Sequence, residues 1–296
     1  MKKSVKITLI VAAVLVGLGL CIAVVGALMG GRISDLRNTY YDGREWHHGD
    51  ALDGSYTGGE IRVPAESITA LSIDWVAGDV KIMVTAGEEI VVTEHVDRGI
   101  PEEYALCVET DNTLRIRYCG DIWGMAIDMP TKELTVCLPR TVAENLTAVD
   151  LSGVSANFAV GKLTVRDAFS FDTTSGKLEM QSMNAPQAKA DVSSVSGKVE
   201  LDGSFREVKA GSTSGEIDLM LRNAPAAVEV STVSGEVDVE LPAGTGFTLD
   251  YSTVSGELEY DFPLTKSKDG KFVCGDGACR IEVGTTSGSL SVERLG

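Results

Sequence analysis

Excess positive charge is what this chain most clearly lacks: 26 Lys and Arg stand against 43 Asp and Glu, for a formal charge of −17 and a pI near 4.6. A nucleic-acid backbone is bound by basic surfaces, so nucleic acid is excluded as a partner. Histidine is scarce as well, with three in 296 residues, and only His95 lies beyond residue 60. A serine or cysteine triad would have to use it, and no nucleophile signature lies nearby. Aromatic residues make up 6% and proline only 8 positions, whereas glycine reaches 32. That balance suits a chain with many turns and little helix.

A long apolar run occurs once, over residues 7–29, where Thr8 is the only polar side chain. As a helix rising 1.5 Å per residue it spans a bilayer core, and it exceeds the apolar region of a signal peptide. Lys2, Lys3 and Lys6 precede it while Arg32 and Asp35 follow, so the positive-inside bias places the N-terminus in the cytoplasm and the rest outside. Cys21 follows Leu20 rather than the small residue of a lipobox, and reads as a membrane-helix residue. The expected organisation is a cytoplasmic tail (1–6), a retained transmembrane helix (7–29), an extracytoplasmic stalk (30–60) and a repeat domain (61–296). In the stalk, Trp46-His47-His48-Gly49-Asp50 offers metal-ligand types, but adjacent histidines on extended chain point opposite ways, so a linker is expected.

Five cysteines lie beyond the apolar run, at 107, 119, 137, 274 and 279. An odd number leaves one without a partner in the chain. Cys274 and Cys279 flank Gly275-Asp276-Gly277-Ala278, a loop length suited to a hairpin, and are the candidate disulfide. Without a second Cys or His pair nearby, no zinc site is expected. Cys107, Cys119 and Cys137 sit in or beside alternating apolar runs, where buried thiols are expected.

One phrase recurs through the second half: TTSGKLEM, SSVSGKVEL, GSTSGEIDLM, VSTVSGEVDVEL, YSTVSGELEY and GTTSGSLSV. Its Ser-Gly steps begin at Ser175, Ser196, Ser214, Ser234, Ser255 and Ser287, at intervals of 21, 18, 20, 21 and 32 residues. A period near 20 signals a repeat architecture. Each copy is an alternating run, a hydroxyl-rich Ser-Gly corner and another alternating run, so Val237, Val239 and Leu241 point inward while Glu236, Asp238 and Glu240 face water. The glycine is expected to supply a backbone conformation closed to other residues, and the hydroxyls to satisfy turn amides. The predicted fold is all-β: a single-stranded β-solenoid with two short strands per coil of about 20 residues, preceded by one transmembrane helix. An antiparallel sandwich is the structural competitor. Degenerate coils are expected at 71–84 and 146–158, with further strands at 89–94, 104–109, 113–118 and 133–138.

LSIDWVAGDVKI (71–82), LTVCLPR (134–140) and the six Ser-Gly phrases resemble the bacterial domain-of-unknown-function family labelled "putative adhesin", over roughly 61–292. The resemblance implies a β-helical fold in a cell-envelope setting, with a link to envelope stress in some members. It brings no catalytic residue, and fold alone does not assign function.

Stacked in sequence order, the copies align Lys177, Lys198, Glu216, Glu236 and Glu257 in one column and Glu179, Glu200, Asp218, Asp238 and Glu259 beside it. The acidic members Glu216, Glu236, Glu257, Asp218, Asp238 and Glu259 form a candidate interaction strip for a basic partner or a divalent cation, set against a plain solvated face that deters aggregation. The long last interval holds Lys266, Lys268 and Lys271, a candidate basic contact for anionic wall polymers or for the acidic strip of another copy. No catalytic residue, metal or cofactor is expected. The expected function is a non-catalytic binding, adhesin-like or scaffold module of the bacterial envelope, single-pass in the membrane, with a regulatory partner of an envelope-stress system as the alternative and a carbohydrate-active enzyme behind both.

Overall fold

The computed structural model describes residues 56–100, 105–118 and 131–296. Among them no helix is long and apolar enough to cross a membrane. The expected span at 7–29, Cys21 and the Trp46–Asp50 cluster fall outside the described residues.

The N-terminal part comprises β1 (Tyr56–Pro64), β2 (Ala70–Thr85), β3 (Glu89–Ile100), β4 (Cys107–Thr110), β5 (Thr113–Arg117), β6 (Lys132–Pro139), a single helical turn α1 (Arg140–Ala143) and β7 (Leu146–Val160). β2 lies parallel to β7 along almost its whole length, from Ala70 opposite Ala148 to Ile82 opposite Val160. On its other side it pairs in parallel with β5 and then β6. Antiparallel strands finish this end: β4 on β5, β3 on β6, and β1 on β3. Turning the last rung antiparallel removes an open parallel edge that would otherwise template aggregation. β1 begins at Tyr56, inside the stretch expected to be stalk.

The regular coils follow: β8 (Val165–Thr173), β9 (Leu178–Met180), β10 (Met183–Ser194), β11 (Val199–Ser212), β12 (Ile217–Leu221), β13 (Ala227–Thr232) and β14 (Val237–Leu241). Parallel pairing sets Val149 opposite Phe169, Phe171 opposite Val192, Ala190 opposite Val208, and Val208 opposite Val228. This in-phase parallel stacking is that of a solenoid and excludes an antiparallel sandwich. Alternation decides the faces as expected: Val237, Val239 and Leu241 are buried, while Asp238 and Glu240 lie at the surface. Phe158, Phe169, Phe171, Phe205 and Phe247 are fully buried between the strand walls, with Phe158 and Phe171 edge-to-face at 5.5 Å.

The C-terminal part departs from sequence order. It contains β15 (Phe247–Ser252), β16 (Leu258–Tyr260), β17 (Thr265–Lys266), β18 (Phe272–Cys274), β19 (Cys279–Thr285) and β20 (Leu290–Arg294). β13 and β14 pair with β19 and β20, the last coil of the chain, and not with β15 and β16. β15 and β16 pair with the far sides of β19 and β20. The chain thus leaves one rung vacant, builds the outermost coil, turns through β17 and β18, and returns to fill the gap. Apolar content favours this order. Leu290 and Val292 are buried on both flanks, whereas β16 offers only half-buried Leu258 and exposed Tyr260, a poor interior strand but a tolerable end. β18, antiparallel to β15, closes this end of its wall.

The corners share the pattern Ser/Thr-x-Ser-Gly. In six of them the first hydroxyl accepts the glycine N–H, from Thr173 and Gly176 (2.9 Å) through Thr285 and Gly288 (2.7 Å). The second hydroxyl donates to a carbonyl of the adjacent coil, as Ser234 does to Thr213 (3.4 Å) and Ser287 to Val233 (3.4 Å). These glycines do not have the positive φ expected of them. They are required by close approach: a Cβ on Gly235 would overlap the carbonyl oxygen of Gly215.

Candidate functional site

The outward side chains of β11, β12, β14 and β20 form a dense acidic surface among the described residues. Parallel register places Glu179 beside Glu200, Glu200 beside Asp218, and Asp218 beside Asp238. One step along each strand, Glu240 lies beside Glu293. Rungs are about 4.8 Å apart, so like charges in one column repel directly.

Cations relieve one end of this field. Lys198 Nζ lies 2.8 Å from Glu216, 3.0 Å from Asp218 and 3.0 Å from Glu200. Lys177 pairs with Glu179 and stands 3.6 Å from Glu200. Hydrogen bonds to Glu216 and Asp218 raise the Lys198 pKa above the ordinary lysine range, so it stays charged. Arg222 pairs with Asp202 through two of its nitrogens, one at 2.7 Å.

Past Lys198, Asp238, Glu240 and Glu293 form no ion pair among the described residues, and only Glu240 is partly offset, by the charge of Arg222. Asp238, Glu240 and Glu293, with Glu200 and Asp218, line a shallow depression of about 480 Å³. Burial, then the charges of Asp218, Glu236 and Glu293, push the Asp238 carboxyl up to about 6. Burial first and Glu293 second raise Glu240, and burial raises Asp218 despite its bond from Lys198. Carboxylate oxygens of Glu216, Asp218 and Asp238 lie within 4.8 Å of one another, a separation three oxygen ligands of a calcium ion could adopt after adjustment. At Glu216 and Asp218, however, the Lys198 ammonium already supplies positive charge, so a metal would have to displace it.

Of the six strip residues, the structure brings Glu216, Asp218, Glu236 and Asp238 together and sets Glu257 and Glu259 apart. Asp238 is paired with Ser291, and Ser291 with Glu259. Serine 289 likewise follows Glu236, since its carbonyl accepts the Val237 N–H at 3.0 Å. Glu293 joins the site instead, a residue that sequence order does not bring near Glu240. Its signal lay in the SGSLSV phrase, whose serines replace the acids of the other copies.

The candidate basic contact is not assembled as a unit. Lys271 is engaged by Asp250 at 2.8 Å and Lys266 lies 5.4 Å over the Phe272 ring, which leaves Lys268 exposed without either role. The candidate disulfide is corrected. Cys274 and Cys279 are both free and buried. Phe247 pairs with Cys274 on one side and with Cys279 on the other, so β15 runs between the two thiols and they stand two strand spacings apart. Burial pushes the Cys279 thiol up to about 11. Cys107, expected as a thiol, is disulfide-bonded, while Cys137 is free.

A buried ion pair had no distinct sequence signal. Lys132 Nζ lies 3.1 Å from Glu94, with both side chains fully buried, and 4.4 Å from the Tyr118 ring centroid. The pair ties β3 to β6 across their antiparallel ladder and acts in the packing of that end.

Curated proteins gave no match to the chain. Among solved structures, one described as a "putative adhesin" from Bacteroides fragilis is 18% identical, covering 83% of this chain and 100% of its own, with a TM-score of 0.47. A "putative lipid binding protein" from Parabacteroides distasonis is 16% identical over 83% of this chain and 99% of its own, TM-score 0.39. A "putative cell adhesion protein" from Clostridium sporogenes is 12% identical over 80% and 100%, TM-score 0.32. The family model described as Toastrack DUF4097 matches residues 60–293, nearly the whole repeat domain, and the chain belongs to that family.

Proposed function

We propose that this chain is a non-catalytic interaction module of the bacterial cell envelope, held to the membrane by residues 7–29, with the acidic face of its solenoid as the contact surface. The observation that carries this reading is the acidic surface around Asp238, where burial first and the charges of Asp218, Glu236 and Glu293 next push its carboxyl up to about 6. A cationic surface on an envelope protein fits the strip: it relieves the repulsion, and long-range attraction speeds encounter.

The test is cross-linking in intact cells of a tagged full-length chain, followed by mass spectrometry, beside a triple variant Asp238→Asn, Glu240→Gln, Glu293→Gln. A specific protein recovered with the wild type and lost with the variant supports the reading. Equal recovery with both, or wall polymer alone with both, removes the acidic face as the contact.

A further inference from the structure

We infer that the outer edge of β16 is a docking site for an extended segment of another protein in which basic and apolar residues alternate, added as one more strand at the end of the solenoid. Among the described residues β16 pairs with β20 and with no other strand. The Glu257 carbonyl accepts the Leu290 N–H at 2.9 Å, and the Asp261 N–H donates to the Val292 carbonyl at 3.2 Å. Alternate residues of a strand turn their backbone groups to opposite sides, so Glu259 also faces β20 while Leu258 and Tyr260 present N–H and C=O to the open side. Such a row of unpaired groups is a template for a further strand.

The side chains show where a rung is missing. Leu258 and Tyr260 continue the columns formed by Val237 with Leu290 and by Val239 with Val292. Those four interior residues are at most 1% exposed, whereas Leu258 is half-buried and Tyr260 is 47% exposed. Both point toward the core with no strand beyond them, and covering them would remove apolar surface from water. The neighbouring wall does not share this gap, since β18 covers β15 from Phe247 to Leu249. The edge is also fixed before anything docks. The Gly256 N–H donates to the Thr253 hydroxyl at 2.7 Å, and the Tyr251 hydroxyl donates to the Glu257 carbonyl at 3.1 Å. A strand already held in place lowers the ordering cost of binding.

Charge identifies the occupant. Glu257 and Glu259 flank Leu258, both exposed and without an ion pair among the described residues, and Asp261 has only Arg294 at 4.0 Å. Pairing β16 with the β16 of a second copy, parallel or antiparallel about Glu259, sets acid opposite acid, which destabilises a sheet. The chain's own alternating basic stretches are already in use: Arg115-Ile116-Arg117 lies in β5 against β2, and Lys266-Ser267-Lys268 is held at the β17–β18 turn. A foreign strand with Lys or Arg opposite Glu257 and Glu259, and apolar residues opposite Leu258 and Tyr260, satisfies charge, core and backbone together. Ser291 stands between Glu259 and Asp238, so this edge and the acidic depression are separate surfaces.

The test measures, by fluorescence anisotropy, binding of a short labelled peptide of alternating lysine and valine to the full chain in neutral detergent. The comparison peptides are one of the same composition with its lysines and valines in two blocks, and two forms of the alternating peptide N-methylated on one or the other alternate set of amides. The alternating peptide is expected to bind roughly tenfold more tightly than the blocked one. One N-methylated form is expected to lose binding by about tenfold or more and the other to keep it, since a strand offers a single set of amides to its neighbour. Glu257→Gln with Glu259→Gln is expected to weaken binding several-fold at low salt. The triple variant Asp238→Asn, Glu240→Gln, Glu293→Gln is expected to bind as the wild type does. No binding up to about 1 mM, equal binding of the alternating and blocked peptides, or equal binding of the two N-methylated forms would overturn the inference. So would loss of binding in the triple variant, which would move the peptide to the acidic face. Cross-linking of that triple variant is read on its own, so either surface can fail without the other.

Discussion

Asp238 lies opposite Ser291, at the place where sequence order would put Glu259. The last coil of the chain is therefore an interior coil, and its two serines interrupt columns that would otherwise be acidic to the end of the stack. This relationship makes the order of coils accessible to charge substitution.

Replacing Ser291 by Lys places an ammonium beside Asp238 and Glu259. The Asp238 carboxyl, now raised to about 6, is expected to fall toward the ordinary carboxylate range, observable by NMR titration. Ser291→Asp is expected to raise it further and to lower the unfolding midpoint at low salt, with partial recovery at high salt. No effect of either substitution on Asp238 would refute the interleaved order.

The same group sets a pH dependence with a definite sign. The folded pKa of Asp238 lies above its unfolded value of 3.8, so between about pH 4 and 6 the native state holds more proton than the unfolded state. The contribution of Asp238 to stability is thus largest at low pH and is lost as pH rises through 6. Asp238→Asn is expected to raise the Tm at pH 8 by about 2 °C, the shift that about 1 kcal/mol or less produces in a domain of this size, and to have little effect at pH 4. Thermal melts of both proteins at the two pH values check this.

Close approach at the corners predicts a sharp contrast between glycines. Gly235→Ala forces a methyl against the Gly215 carbonyl and is expected to cost about 3 kcal/mol or more, or to prevent folding. Gly244→Ala meets open space and is expected to be neutral or stabilising by about 0.5 kcal/mol. Thr232→Val keeps the shape of the corner but orphans the Gly235 N–H, for a loss of about 1–3 kcal/mol, whereas Thr232→Ser retains the bond. Urea unfolding midpoints rank the four variants.

Thiol chemistry reports on the strand between Cys274 and Cys279. In the native protein Cys137, the partly exposed thiol, is expected to react first with maleimide. Cys274 and Cys279 are expected to react only after unfolding, since both are buried and the Cys279 thiol is raised to about 11. Peptide mapping by mass spectrometry locates the label. A Cys274–Cys279 disulfide in the folded protein would mean that β15 does not lie between them.

The solenoid was legible because its evidence is local and repeated. Alternation in Val237–Leu241 forces one buried and one wet face wherever the strand is placed, and five Ser-Gly corners at intervals of 18 to 21 residues, with a sixth after 32, point to stacking. The hydroxyl-to-glycine bonds follow from the same four-residue pattern. Family membership was legible for the same reason, in the phrases at 71–82 and 134–140.

What the sequence alone determined, then, is the all-β repeat, which side chains face water, and that acids line one face, because strand periodicity acts over a few residues. Only the tertiary structure decided which coil lies beside which. It put Ser291 between Asp238 and Glu259, brought Glu293 to Glu240, ran β15 between Cys274 and Cys279, and joined Lys132 to Glu94. Each of these is a pairing between distant segments. It is settled by which strand best fills an interior rung and which can be left at the end, a competition over buried apolar area that no single repeat reveals.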